Sequence, residues 1–377
     1  MSYFSDAELT SLANRVDRGE FWSPRIVKFT LLDGCNWRCQ MCRCDKTASA
    51  PLSVDDWLGI ARDVLRMGAK EIAFTGGEPT LFPGFESLVG GVRALDPHVK
   101  LKLLTNGTRL TPERVDRLLA HGLRRYIVSL HGDDAATHDA IVGVANQWRK
   151  TLRGIESVVR ASPGVPRSVW LNCVVRRANL PQLVGVVRLA AALGCEGVSF
   201  SPLDGRVADA GERPLTVTEM EAAREAIFPA VRETAQARNV MLFPSDSELF
   251  GRTAGEVVRC ASGELSRGFY ETHPCYWVYY HVTVEPDGTV QPCCNRPLAG
   301  GYGNACTSPL DALTTRREAR AFLATAGVGP AVFATCRGCE MKLQVNRDID
   351  EGIAALGLTR PAPHSARRAL PIVRGGS

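Results

Sequence analysis

Three thiols with three and then two residues between them, Cys35-Asn36-Trp37-Arg38-Cys39-Gln40-Met41-Cys42, directly follow the run Ile26-Val27-Lys28-Phe29-Thr30-Leu31-Leu32. On one short loop they can turn inward and hold a metal centre from one side. A structural zinc ion takes four protein ligands, and only Cys44 is near enough to complete that set locally. An iron-sulfur cluster also normally takes four thiolates. If Cys44 points away, three leave one iron open, and an open iron can bind a substrate or cofactor.

The remaining cysteines cluster again. Of thirteen, seven fall between Cys260 and Cys339, and only Cys173 and Cys195 lie between the two groups. In a reducing compartment such residues read as metal ligands or redox groups rather than disulfides. A structural zinc ribbon is the plain alternative for the second group, because Cys336-Arg-Gly-Cys339 is a common zinc pair. Cys44, Cys173 and Cys195 read as buried apolar fillers.

These residues need elements to position them. From residue 26 to about 240, β-like runs at Val27–Leu32, Glu71–Phe74, Lys100–Leu104, Tyr126–Leu130, Val169–Val175 and Gly197–Phe200 alternate with amphipathic stretches. The clearest helix runs from Ser53 to Met67, with Ser53 as N-cap, Asp56 at the capping-box position and Val54, Leu58, Ala61 and Leu65 on one face. Six β-α alternations imply a parallel sheet with helical crossovers, open or barrel-like. In such folds the loops after the strands build the site. Those loops hold the cysteines, then Thr75-Gly76-Gly77-Glu78-Pro79, Thr105-Asn106-Gly107, Ser129-Leu130-His131-Gly132-Asp133 and Arg176-Arg177-Ala178-Asn179. His131 reads either as a proton-transfer group at the barrel mouth or as a histidine capping a turn.

Residues 1–25 should supply an N-terminal helix, at 5–19, and residues 26–245 the α/β core. Near Ala261 aromatic and cysteine density rises. Val284-Glu-Pro-Asp-Gly-Thr-Val290 then reads as a hairpin, and 309–325 as a helix. A small α+β, cysteine-rich domain is therefore expected at 255–345. Residues 359–377, with three prolines and four arginines, read as a disordered tail.

Composition excludes several classes. The net charge is +5, of which the tail carries four charges, leaving about +1 for the body, so nothing calls for nucleic acid. No run approaches the roughly 18 apolar residues of a membrane span. The N-terminus lacks a secretory pattern, and a cytoplasmic location is expected.

The spacing of Cys35, Cys39 and Cys42, followed by Gly76-Gly77-Glu78-Pro79, resembles the radical SAM superfamily. The resemblance covers about residues 26–240 and implies a partial (β/α)6 barrel. It implies that the three cysteines hold a 4Fe-4S cluster whose fourth iron binds S-adenosylmethionine. The Gly76-Gly77-Glu78 stretch would meet the methionine amino group, with Asn106, Ser129 and Arg177 as candidates for the ribose and carboxylate. The residue before the third cysteine, usually aromatic and beside the adenine, is here Met41. The order Cys275, Gly288, Cys293, Cys336-x2-Cys339 resembles the SPASM/twitch extension. With no cysteine beyond Cys339 it is of the shorter twitch type, which implies one auxiliary 4Fe-4S cluster on Cys275, Cys293, Cys336 and Cys339. Cys294 rivals Cys293, while Cys260 and Cys306 stay unassigned.

The resemblance further implies cleavage of S-adenosylmethionine to a 5'-deoxyadenosyl radical that abstracts hydrogen from a substrate C–H. An electron donor such as flavodoxin or ferredoxin would serve as partner. A single auxiliary cluster favours a two-electron oxidation, and no residue stands out as the base. Only 34 residues precede Cys35, fewer than the leader-binding domain common in peptide-modifying members. The expected substrate is thus a small polar intermediate such as a sugar, aminocyclitol or nucleoside. The alternatives are a maturase for a ribosomal peptide, an epimerase and a decarboxylase.

Overall fold

Alternation of burial along the strands sets the architecture. The computed structural model describes residues 4–42, 44, 51–161, 164–203, 214–243, 248–295, 298–327, 329, 333–340 and 342–358; the expected tail at 359–377 lies outside them. The first six strands are β1 (Ile26–Thr30), β2 (Glu71–Thr75), β3 (Lys100–Thr105), β4 (Leu123–Ser129), β5 (Ser168–Val175) and β6 (Gly197–Pro202). Val27, Phe29, Ile72, Phe74, Leu101, Leu103, Tyr126 and Val128 on one face are buried. Lys28, Lys102, Leu104, Arg125, Ile127, Ser129, Asn172 and Ser199 on the other stay partly exposed. One face is therefore packed under helices and the other lines an open lumen.

Three shorter strands complete the sheet: β7 (Met241–Phe243), β8 (His281–Val284) and β9 (Val290–Gln291). The order is β7-β6-β5-β4-β3-β2-β1-β8-β9, parallel throughout except for β9. The ends at β7 and β9 do not pair with each other, so the sheet is an unclosed partial barrel. The β8–β9 pair is the hairpin read from Val284 to Val290. Its pairing through β8 to β1 was not legible, and it places the cysteine-rich segment on the barrel's own sheet. β7 was also missed, because Met241-Leu-Phe243 is too short to show a period. β4 begins three residues earlier than Tyr126, where Arg124 and Arg125 interrupt the apolar pattern.

The helices follow their caps. α1 (Asp6–Arg18) starts with a capping box from Ser5 to Glu8 and ends on Gly19 at φ 61°. α2 (Val54–Arg66) starts with the expected Ser53–Asp56 box. Its buried stripe is Trp57, Ile60, Ala61 and Val64, one step round from the expected face, because the large indole of Trp57 seats against Phe29 with 4.8 Å between ring centroids. Val54, Leu58 and Leu65 flank that contact. The single helix expected at 309–325 is two, Leu310–Thr314 and Arg317–Ala326. A further helix, Leu343–Ala355, lies against α1, where Gly352 leaves room for Leu9. Among the described residues no helix is long and apolar enough to cross a membrane.

Candidate active site

The cysteine loop is tied on every side to the loops that follow the neighbouring strands. On the β2 side the ties are backbone bonds: Leu31 N–H to Thr75 O at 2.9 Å, Gly77 N–H to Leu32 O at 2.7 Å and Glu78 N–H to Gly34 O at 2.9 Å. So close an approach excludes side chains. A Cβ on Gly77 would sit 2.2 Å from Gly34 O, and Gly76, at φ 146°, would bring one to 2.5 Å from Leu32 O. On the β3 side the Asn106 amide donates to Asn36 Oδ1 at 2.6 Å, and Asn36 donates to Thr108 Oγ1 at 2.8 Å. On the far side the indole of Trp37 lies edge-on to His138 and His131, at 5.2 and 6.2 Å, and its Nε1 donates to Gln147 Oε1 at 3.3 Å. Arg38 N–H reaches Val142 O at 2.9 Å.

Between these anchors stand the three thiols. Cys35 and Cys39 are half-buried and Cys42 is exposed. Cys35 Sγ accepts the Trp37 N–H at 3.3 Å and Cys42 Sγ the Cys44 N–H at 3.5 Å, bonds that favour thiolates. Cys44 itself is half-buried beside Cys42, with its sulfur 3.6 Å from Gly76 O. Its hydrogen bond with Cys42, then burial, push its pKa up, so it remains a thiol. Among the described residues no group of His, Cys, Asp and Glu forms a site for one metal ion. A structural zinc ion takes four protein ligands, whereas three thiolates on a cluster leave one iron open for a ligand. The donor set thus fits a cluster gripped from one side.

The other expected residues divide sharply. Glu78 is fully buried: Oε1 accepts from Thr80 N, Thr80 Oγ1 and Thr105 Oγ1, at 3.1, 2.5 and 2.7 Å, and Oε2 from Asn106 N at 2.7 Å. Its carboxylate knots the loops after β2 and β3, so the Gly-Gly-Glu stretch has its backbone to offer a ligand. Burial pushes the Glu78 carboxyl up, and those hydrogen bonds oppose the shift. Asn106 is buried and commits its side chain to Asn36 and Thr108. Ser129 ends β4 on the lumen face, level with Asn172 of β5. Met41 is half-buried at the loop's edge.

Arg177, a candidate for the ribose and carboxylate, is engaged in an ion pair. It is exposed and clamps Glu219 at 2.5 and 2.7 Å, which holds that carboxyl down at about 2. The arginine facing the cysteine loop is Arg176, 5% exposed, whose guanidinium reaches Met41 Sδ at 3.6 Å and Gln40 Oε1 at 3.3 Å. The tight turn after β5 puts successive side chains on opposite sides, and the Arg-Arg pair carries no sign of which one faces inward. Both line a narrow pocket with Pro214, Met220, Phe250 and Cys260. His131 proves to be a framework residue. Its Nδ1 accepts the Val174 N–H at 3.3 Å, its own N–H goes to His138 Nδ1 at 3.1 Å, and burial holds its pKa down at about 3.

The second thiol group is built differently. Cys275, Cys293, Cys294, Cys336 and Cys339 lie near one another, each close enough to influence the ionisation of at least one other. Burial, then repulsion from Cys294 and Cys275 respectively, pushes Cys293 and Cys339 well up, so the pocket suits thiolates only with a positive centre among them. The walls are side chains. Asn346 Nδ2 bonds Tyr270 Oη at 2.8 Å and lies 3.9 Å from Cys275 Sγ, while Asn346 Oδ1 accepts the Trp277 N–H at 3.2 Å. The buried Tyr302 hydroxyl, whose ionisation burial and then Cys293 oppose, has no hydrogen-bond partner among the described residues. That spare donor suits the sulfide of a cluster. Cys260, buried in the helix Ala254–Ala261, and the exposed Cys306 beside Gly288 lie outside this group.

Residues 29–196 match the Radical SAM superfamily, and residues 275–340 match the SPASM iron-sulfur cluster-binding domain. The chain belongs to the radical SAM superfamily and carries a SPASM-type region. Its cofactors are accordingly a 4Fe-4S cluster, S-adenosylmethionine and auxiliary iron-sulfur. It is 35% identical over 176 residues to the AdoMet-dependent heme synthase of Methanosarcina barkeri, 46% of this chain and 48% of that one. It is 29% identical over 252 residues to the PqqA peptide cyclase of Streptomyces rochei, 65% and 61% of the two chains. The match thus spans about half the length of the first relative and less than two thirds of the second. Among solved structures Streptococcus suis SuiB superposes with a TM-score of 0.63 at 15% identity, over 85% of this chain and 72% of that one, which speaks for the fold.

Proposed function

We propose that this radical SAM enzyme carries out a two-electron oxidation of a small polar molecule held in the lumen, with the auxiliary centre as electron acceptor. When bound, the cluster and S-adenosylmethionine supply one-electron cleavage and a hydrogen-abstracting radical. Cys35, Cys39 and Cys42 would hold the first cluster. Cys275, Cys336, Cys339 and either Cys293 or Cys294 would hold the second. The observation that carries the reading is that the first thiol set stands on the loop after β1 while the second opens beside β8, the strand paired with β1. A substrate in the lumen then lies between radical and acceptor.

The chain's own part is placement. Gly76 and Gly77 bring two loops into contact, and Asn36 with Asn106 fixes the loop that bears the thiols. Arg176 lies against that loop from β5, where its charge can meet a carboxylate of the bound cofactor. The lumen wall from β4 to β6 offers Ser129, Asn172 and Ser199 to hold hydroxyl or amide groups. The similarity to a peptide cyclase favours a second reading, a peptide whose side chain enters the same lumen.

The test is anaerobic incubation with dithionite, S-adenosylmethionine and two substrate panels, polyols with nucleosides and short acidic peptides. The reading expects 5'-deoxyadenosine, and a product that has lost two hydrogens from a member of the first panel. Turnover confined to peptides would establish the second reading, and no 5'-deoxyadenosine under any reducing condition would overturn both.

A further inference from the structure

We propose that the lower half of the lumen is an anion site that holds a carboxylate of the substrate between the two thiol centres, an inference that rests on the radical SAM reading above. Lys28 of β1 and Lys102 of β3 occupy the same inner face, both level with Ala73 of the strand between them. Adjacent strands lie about 4.8 Å apart, so the two backbones stand about 10 Å apart, and Ala73 fills the gap with only a methyl group. Thr283 of β8 is level with Lys28 on the other side. Its hydroxyl meets Nε2 of the buried His281 at 3.1 Å, and the His281 ring lies 4.5 Å from that of Trp277. Lys342 enters from the cysteine-rich segment with its ammonium 4.2 Å from the Trp277 ring centroid.

The charges here do not balance. Glu71 is shared between Lys102 and Arg125. Among the described residues neither Lys28 nor Lys342 has a carboxylate within ion-pair distance. Glu285, the residue after β8, is buried and has an interaction of its own. Burial and the charge of Lys28 hold Lys342 down at about 8, so the lysines act on one another. Lys28, Lys102, Lys342 and Arg125 thus gather around Glu71 in a partly desolvated space, with Glu340 near Lys342, and an excess of positive charge there is costly unless anions join it. The thiolates of the second centre answer Lys342, whose charge reaches Cys294 and Cys339. Lys28 is left for a ligand, with Lys102, already paired to Glu71, beside it.

The chemistry favours carboxylate. Phosphate sites draw on arginine forks, glycine-rich backbone or helix N-termini, whereas these are lysine point charges at mid-strand. The opposite wall, Ser129, Asn172 and Ser199, is polar and uncharged. A substrate with a carboxylate towards β1–β3 and hydroxyl or amide groups towards β4–β6 matches both walls, and an ammonium-rich aminocyclitol does not.

The test uses the reconstituted full chain with glutarate, glutaramide and inorganic phosphate as probes, and reads melting temperature against probe concentration. Glutarate should raise the melting temperature saturably and glutaramide should not. Lys28→Met should weaken glutarate about tenfold or more, as expected for loss of one charge-assisted hydrogen bond. Lys28→Arg should retain binding, and Lys70→Met, at an exposed lysine outside the lumen, should match wild type. If Lys28→Met fails to load iron, Lys102→Met takes its place. No saturable shift with glutarate, equal binding by the variant, equal binding of glutaramide or tighter binding of phosphate would each overturn the site. Binding is read without turnover. A chain that binds glutarate but cleaves no S-adenosylmethionine refutes only the activity, and one that cleaves but does not bind refutes only this site.

Discussion

The two thiol centres differ in where their thiols come from and in what closes over them. Around Cys35, Cys39 and Cys42 the framework is backbone: strands end, loops touch through Gly76 and Gly77, and N–H groups point at sulfur. Around Cys275, Cys293, Cys294, Cys336 and Cys339 backbone N–H groups also reach sulfur, those of Trp277 and Val278 at Cys275, but the side chains of Tyr270, Tyr302 and Asn346 close over thiols drawn from separate segments. A loop that grips from one side leaves an iron for a ligand. A pocket with four or more thiols leaves none. The chemistry assigned to each, cofactor binding and electron acceptance, follows from that difference.

The hardest break in this comparison is to remove one framework's thiols. Wild type should carry about eight irons per chain, and Cys35→Ala/Cys39→Ala/Cys42→Ala about four, with 5'-deoxyadenosine formation abolished. An undiminished iron count in the triple variant would mean the loop is no cluster site. Cys336→Ala is the counterpart and should be milder: cleavage of S-adenosylmethionine persists while substrate turnover stops. Loss of cleavage as well would show that the two centres are not separable.

The close backbone contacts between the loops after β1 and β2 should be as sensitive as the thiols themselves. Gly77→Ala leaves every thiol in place but forces a methyl group onto the carbonyls of Asp33 and Gly34, at 2.4 and 2.2 Å. The loops must part, and 5'-deoxyadenosine formation should fall at least tenfold, with the second centre's irons retained. Gly59→Ala in α2, where a new Cβ meets nothing within 4 Å, should instead stabilise the chain by about 0.5–1 kcal/mol in thermal unfolding.

Legibility in the sequence followed the same divide. The first centre could be read because its ligands and anchors are local: Cys35 to Cys42 is one loop, and Gly76 to Pro79 follows the next strand. The six core strands were readable because their outer faces repeat with period two under helices. The pairing of β8 with β1 was not, since it joins residues about 255 apart in the chain and nothing at residue 281 names its partner. Nor could spacing tell that Glu78 and Asn106 turn their polar atoms on neighbouring loops, for hydrogen-bond partners are a property of the folded chain. The lysine cluster escaped for the same reason, because Lys28, Lys102 and Lys342 are unremarkable one by one and meet only across the lumen.

The Arg176–Arg177 pair offers the finest discrimination, because sequence favours neither. Arg176 is buried against Gln40 and Met41, and the charge of Cys39 bears on it. Arg177 points outward to Glu219. Removing Arg176 takes a fixed positive charge from beside the open iron, so Arg176→Ala should raise the KM for S-adenosylmethionine about tenfold, the loss of one charge-assisted contact. Arg177→Ala breaks an exposed ion pair, worth about 1 kcal/mol at most, and should change KM less than about twofold. Arg176→Lys separates placement from charge. A lysine keeps the charge but lacks the planar fork that now bridges Gln40 and Met41, so partial recovery of KM would mark Arg176 as a charge for the cofactor. No recovery would mark it as a brace for the loop. The reverse ranking of the two alanine variants would return the role to Arg177.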